Sequence, residues 1–157
     1  MAVQVVPPGV AGGRIILADV VGTVAFVLTA VAAAIEPDVF GLPAVIVALV
    51  LFGIGTVAFL VSYGKAVSRS RFDELSVAGL YFLAGGAAPR PVKVRLLALL
   101  VVQTVVAVAT ASVRPFTSLA FGILVPMFGL ACCGLWGAFH GAFPARSDPR
   151  ASLPADE

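Results

Sequence analysis

The chain has 157 residues, of which 61% are hydrophobic and only 11% charged, and its formal net charge is +2. Soluble domains carry about 25% charged residues, so this chain is too poor in polar side chains to cover a globule in water. The net charge is also too small, and too concentrated in one loop, to form a binding face for nucleic acid. Composition therefore predicts an integral membrane protein with no nucleic-acid partner.

Four apolar runs predict four transmembrane helices. About twenty residues at 1.5 Å each suffice to cross a hydrocarbon core of about 30 Å. The first run could instead be a signal peptide, but it exceeds the usual apolar region of about 7–15 residues, which favours a retained helix. The predicted spans are 15–36, 43–63, 94–113 and 117–140, with a central loop at 64–93 and a polar tail at 144–157.

Proline and glycine residues predict where these spans begin and end. Pro37 ends the first span, Pro43 suits the first turn of the second, and Gly64 is a stop signal for it. The short connection makes the first two spans an antiparallel hairpin. Pro126 lies inside the fourth span and predicts a kink near Gly122.

The stretch 63–95, which comprises the central loop and its two ends, holds six of the ten Lys and Arg residues of the chain. Its segment 72–83 has an apolar side opposite Asp73 and Glu74, which predicts a short amphipathic helix in the membrane interface, with a re-entrant segment as the alternative. Cytoplasmic loops are enriched in Lys and Arg, so we expect the loop and both termini on the cytoplasmic side of the plasma (inner) membrane. The topology-setting cations of this stretch are Lys65, Arg69, Arg71, Arg90, Lys93 and Arg95.

Two polar residues inside the predicted spans are candidates for function. Asp19 is one, because an intramembrane carboxylate is costly and commonly functional. The alternative is that Asp19 lies beside Arg14 near the headgroups and is partly hydrated. Gln103 is the other, and its amide is expected to hydrogen-bond to another helix with a gain of about 0.6–2 kcal/mol. The sequence offers Asp19 no clear charged partner.

Small residues recur every four positions on two of the predicted spans. Such rows let helix backbones approach closely, and packing of this kind holds helices together in lipid. The pattern does not distinguish a partner helix of this chain from one of another subunit. The residues are Ala18 and Gly22 in the first span and Gly129, Cys133, Gly137 and Gly141 in the fourth.

Residue types that carry chemistry are scarce. There is one histidine, and the two cysteines, Cys132 and Cys133, are adjacent within an apolar run, which favours a packing role over a disulfide, redox or metal role. No spacing fits a zinc site, a phosphate-binding loop or an activated serine. We therefore expect no catalytic residue, no cofactor and no metal.

The blocks SRSRFDELSVAGLYFLAGG at 68–86 and ATASVRPF at 109–116 resemble small four-span membrane proteins of actinobacteria. One member of this type is similar to an associated factor of the respiratory supercomplex of cytochrome bcc and aa3 oxidase. The resemblance carries no catalytic motif, so it assigns no functional residue. It implies an accessory role beside a redox-active complex, without a redox centre in this chain.

These observations predict an all-α membrane protein that serves as a non-catalytic accessory or assembly subunit of a plasma-membrane complex. The expected partners are other membrane subunits, with the respiratory bcc–aa3 supercomplex as the implied complex, and membrane lipids. The central loop is the first candidate docking element, and the glycines of the fourth span, if they face lipid, are the second. The runner-up is a small homo-oligomeric transporter or channel, based on Asp19, Gln103 and the Pro126 kink.

Overall fold

A computed structural model describes residues 12–113 and 117–145. The polar tail predicted at 144–157 lies outside these ranges from residue 146 onward. Within the described ranges the chain forms α1 (Gly13–Ile35), α2 (Pro37–Arg69), α3 (Val77–Tyr81), α4 (Arg90–Val113), a 3₁₀ segment (Ser118–Leu124) and α5 (Pro126–His140).

The four-span, all-α prediction is confirmed. Helices α1, α2 and α4 and the continuous stretch Ser118–His140 are each long and apolar enough to cross a membrane. They pack as a bundle in which α1 and α5 each contact both α2 and α4. The last span is the most enclosed of the four and α2 is the least, so α2 presents the largest outer face.

Helix α2 is longer than predicted. It runs through Pro43 and Gly64 to Arg69, and its 33 residues extend over roughly 50 Å, well beyond a hydrocarbon core of about 30 Å. The loop expected before Pro43 is absent, because Pro37 already occupies the first helical turn, where its missing N–H costs nothing. Gly64 does not end the helix, since a glycine inside a helix costs only about 0.5–1 kcal/mol.

The predicted amphipathic helix at 72–83 does not form, and only Val77–Tyr81 is helical. The segment before it is extended and pairs with the chain after α5: Asp73 forms an isolated antiparallel bridge with Ala145, and the N–H of Glu74 donates to the carbonyl of Pro144 at 2.8 Å. These long-range backbone bonds replace the local bonds that a longer helix would have made.

The side chains of segment 72–83 do not all lie where a helical wheel places them. Tyr81, which the wheel places beside Asp73 and Glu74, is 5% exposed and packs in the core. Phe72, on the opposite apolar side, is 75% exposed, as a side that faces the membrane interface would be, and Val77 is 73% exposed. The loop therefore turns one aromatic ring inward and leaves large apolar side chains outside.

Pro126 begins a helix rather than kinking one. The last span starts as the 3₁₀ segment Ser118–Leu124, and α5 begins at Pro126, in the position where proline is best tolerated. The expected kink near Gly122 is thus a change of helix type at Val125.

A close backbone contact joins α2 to α5. A Cβ atom added to Gly55 would lie 2.7 Å from the Cα of Phe128, so only glycine fits this approach. Gly53, two residues earlier on the same helix, has open space at the equivalent position. The contact explains in part why α5 is buried while α2 keeps an exposed face.

The described Lys and Arg side chains lie at one end of the bundle. The start of α1, the end of α2, the start of α4 and the end of α5 meet there. Gly12 lies against Trp136 and His140, Arg69 donates to the Ala138 carbonyl, and the Ala142 N–H donates to the Ala87 carbonyl. We call it the basic end. Glu36 and Asp38 lie at the opposite end, where α1 passes into α2. The described Lys and Arg residues at the basic end are Arg14, Lys65, Arg69, Arg71, Arg90, Lys93 and Arg95.

Candidate functional site: a polar cluster within the bundle

The two polar residues singled out in the predicted spans meet inside the bundle. Asp19 on α1 and Gln103 on α4 are both fully buried, with 0% of each exposed. Gln103 Nε2 donates to Asp19 Oδ1 at 3.0 Å and to Thr23 Oγ1 at 2.7 Å. The Gly129 N–H of α5 donates to Gln103 Oε1 at 3.1 Å. One amide therefore ties three helices together, and we call these four residues the polar cluster.

Asp19 is not the partly hydrated residue of the alternative prediction. Its side chain is enclosed, whereas Arg14 is exposed. Oδ2 of Asp19 is buried and has no hydrogen-bond partner among the described residues. A buried polar atom without a partner costs about 1–3 kcal/mol, so Oδ2 is the one point of the polar cluster that is not satisfied by described protein atoms.

The hydrogen bonds of the polar cluster fix the orientation of the Gln103 amide. Since Gly129 donates its N–H, the amide oxygen must face α5, and the NH₂ group must face Asp19 and Thr23. An NH₂ group carries only donors and would repel a cation beside the carboxyl group. The described bonds of the polar cluster therefore form an interhelical hydrogen-bond junction.

Glycine makes room for this junction. A Cβ atom at Gly129 would lie 2.6 Å from Gln103 Oε1, so a side chain there would displace the amide. The neighbouring Cys132 and Cys133 are free and buried in the core. Sequence reasoning identified Asp19, Gln103 and Gly129 separately, but it did not bring them together.

Most residues of the small-residue rows pack against other helices or the loop of the same chain. A Cβ at Gly22 would meet the Phe128 ring at 2.5 Å, and one at Gly137 would meet the Leu80 carbonyl oxygen at 2.6 Å. Cys133 and Gly141 are buried, while Ala18 is exposed. The glycines of the fourth span therefore do not face lipid, and the second candidate docking element is wrong.

Arg69 has a structural role that sequence reasoning missed. Its guanidinium donates to Asp73 Oδ2 at 2.8 and 3.1 Å, to the Ala138 carbonyl at 3.0 Å and to the Gly141 carbonyl at 3.2 Å. The last carbonyls of a helix lack intrahelical partners and attract cations, so Arg69 caps α5 from the end of α2. The i, i+4 spacing of Arg69 and Asp73 was the available signal.

The other topology-setting cations make few contacts. Lys65 lies with Nζ 5.8 Å from the centre of the Phe139 ring. Arg71, Arg90 and Arg95 are exposed, and Lys93 is half-buried.

A groove runs between the end of α2 and the central loop. Its volume is about 450 Å³. Phe59 and Tyr81 stack beneath it with ring centroids 4.8 Å apart. We call it the loop groove, and its lining is almost wholly apolar: Phe59, Leu60, Tyr63, Ala66, Val67, Leu75, Ser76, Val77, Leu80 and Tyr81.

Comparison with known proteins gives no further guide to this chain. No family model, no curated protein and no solved structure matches it. Among the described residues, no group of three or more His, Cys, Asp and Glu side chains could hold a metal ion. The chemistry of the polar cluster, Arg69 and the loop groove is therefore the basis for inferring what the protein does.

Proposed function

We propose that the protein is a non-catalytic accessory or assembly subunit of a larger plasma-membrane complex, and that it docks through the loop groove. The observation that carries the proposal is the apolar surface of the central loop. Val77 lines the loop groove and is 73% exposed, and Phe72, outside the groove in the same loop, is 75% exposed. Both belong to the loop that joins two hairpins rather than to a membrane span. Exposed apolar patches mark sites that contact a partner protein or the membrane, and we propose a partner protein here because Val77 lines a groove.

The occupant that suits the loop groove is a helix of another membrane subunit. The groove is formed on one side by residues of α2 from Phe59 to Val67 and on the other by residues of the loop. It therefore extends from the membrane span toward the headgroup level, the path that a neighbouring transmembrane helix and its end would follow. Packing, not a difference in hydrophobicity, would hold such a helix in lipid.

The polar cluster supports the same proposal. Interhelical hydrogen bonds of buried polar side chains fix which helices pack together. The junction of α1, α4 and α5 would hold the bundle rigid, so that the outer surface of α2 and the loop keeps one shape for a partner.

The resemblance of the central loop to actinobacterial four-span proteins makes the respiratory bcc–aa3 supercomplex the first complex to test. We also propose that the basic end faces the cytoplasm, because Lys and Arg accumulate on that side of membrane proteins. In that orientation the loop groove opens at the cytoplasmic surface, where assembly partners would meet it.

Purification in mild detergent followed by mass spectrometry tests the proposal. A stoichiometric membrane partner should co-purify with the wild type and be lost with Val77→Glu, which places a charge in the loop groove. Val39→Glu is the matched control, since Val39 is 64% exposed at the opposite end of the bundle. Recovery of the chain alone, or equal loss with both variants, would contradict docking through this groove.

A second candidate function, a small homo-oligomeric transporter or channel, is favoured by one observation. Asp19 Oδ2 is buried inside the bundle with no partner among the described residues, as expected of a group that exchanges a proton or binds a solute. Flux in liposomes that is abolished by Asp19→Asn would favour this function. No flux, or flux unaffected by that change, would remove its support.

A further inference from the structure

We propose that the outer face of α4 binds one anionic phospholipid of the surrounding bilayer, with the headgroup on Arg90 and Lys93. A groove of about 840 Å³ lies along this face. We call it the α4 groove, and it is distinct from the loop groove. Its lining residues are Leu83, Gly86, Ala88, Arg90, Lys93, Val94, Leu97, Ala98, Val101 and Val102.

The charge at the mouth of the α4 groove identifies the headgroup. Arg90 and Lys93 are three residues apart and thus on one face of the helix. Neither has an acidic partner among the described residues, where the ion pair of Arg69 with Asp73 is the only one found. Arg presents a planar fork to phosphate oxygens and Lys a compact charge, so the pair suits a phosphate-containing anion.

The shape of the α4 groove identifies the rest of the ligand. Beyond the two cations its wall is apolar and follows α4 as far as Val102. The distance along the helix from Arg90 to Val102 is roughly 18 Å, close to the thickness of one leaflet, which is half of a core of about 30 Å. An acyl chain attached to a headgroup at Arg90 would therefore lie along the groove without crossing the midplane.

A second transmembrane helix fits the α4 groove less well than a lipid. A helix partner would contact both leaflets, whereas the groove occupies only the half of α4 nearest the basic end. Basic sites on the cytoplasmic side of membrane helices bind the headgroups of anionic lipids. The lipid proposal is independent of the docking function proposed above, because it uses a different face of the bundle.

The test is native mass spectrometry of the full chain released from nanodiscs that contain phosphatidylglycerol and phosphatidylcholine. We expect one retained phosphatidylglycerol per chain in the wild type. With Arg90→Gln/Lys93→Gln, apparent affinity should fall by about 30-fold if each cation contributes its usual share. Arg14→Gln/Arg71→Gln removes two exposed cations of the same end and should retain the lipid.

A third variant tests the apolar half of the site without altering charge. Ala98 is exposed on the wall of the α4 groove, so Ala98→Trp should fill it and release the lipid while the bundle stays folded. Equal lipid loss in both double variants would show a diffuse charge effect and overturn the site. Retention of lipid by Arg90→Gln/Lys93→Gln would overturn the site as well. So would loss of the retained lipid from the wild type when inorganic phosphate is added, because free phosphate would then suffice to occupy the site.

Discussion

Replacing Gln103 by leucine should strongly destabilise the bundle. The change removes the amide that joins Asp19, Thr23 and Gly129, so three interhelical hydrogen bonds are lost. Such bonds contribute about 0.6 kcal/mol each on average in membranes, or about 2 kcal/mol for three. The carboxyl group of Asp19 would in addition lose its only described donor, which adds about 1–3 kcal/mol. We expect the free energy of unfolding to fall by about 3–5 kcal/mol.

Thr104 provides the matched control on the same helix. Its side chain is exposed, and its hydroxyl bonds to the carbonyl of Leu100 in its own helix at 2.8 Å. Thr104→Val should therefore change the free energy of unfolding by no more than about 0.5 kcal/mol. The assay is unfolding of the purified protein in mixed micelles with increasing denaturing detergent. Trp136, the one tryptophan of the chain, is 3% exposed and reports the loss of packing by its fluorescence.

A double-mutant cycle isolates the contact between Asp19 and Gln103. The coupling between Asp19→Ala and Gln103→Ala should be about 0.6–1.7 kcal/mol, because the two side chains share a direct bond. Strict additivity of the two changes would refute the contact. A Gln103→Leu protein as stable as Thr104→Val would refute the whole junction.

Three further predictions concern packing, helix capping and sidedness. Gly55→Ala should lower the free energy of unfolding by about 1–3 kcal/mol in the same assay, because the added Cβ would clash with the backbone of α5. Gly53→Ala should leave it nearly unchanged, and equal effects of the two changes would refute the close contact. Arg69→Lys should destabilise nearly as much as Arg69→Gln, since an ammonium cannot reach a carboxylate and two carbonyls together, and full rescue by lysine would contradict the fork geometry. In intact cells a membrane-impermeant maleimide should label Asp38→Cys but not Arg90→Cys, with low background because the native cysteines are buried; labelling of Arg90→Cys would reverse the topology.

Hydropathy was sufficient to predict the four spans, because the cost of placing polar groups in lipid dominates every other term over twenty residues. The ends of the spans were less predictable. Gly64 ends a helix only where other groups can bond to the backbone N–H and C=O groups that the helix would leave free. Here α2 continues through Gly64 to Arg69. The extent of α3 was also missed, because the bonds of Asp73 and Glu74 to residues 144–145 are tertiary contacts.

The polar cluster was predictable in its parts and not as a whole. Asp19 and Gln103 each stood out as polar residues within apolar runs, and such residues commonly pair. They are 84 positions apart, however, and the hydrophobic periodicity of these helices does not show which faces meet. Gly129 stood out through its four-residue spacing, but only the structure shows that its neighbour is an amide of the same chain.

The most direct test of the central claim is the identity of the chains that co-purify with this protein from its native membrane in mild detergent. The proposed accessory function predicts a stoichiometric membrane subunit that is retained by the wild type and by Val39→Glu and lost from Val77→Glu. Cross-links from Tyr63 or Leu75 to that subunit would place it in the loop groove. A protein that is isolated alone, with no partner at comparable abundance, would contradict the proposal.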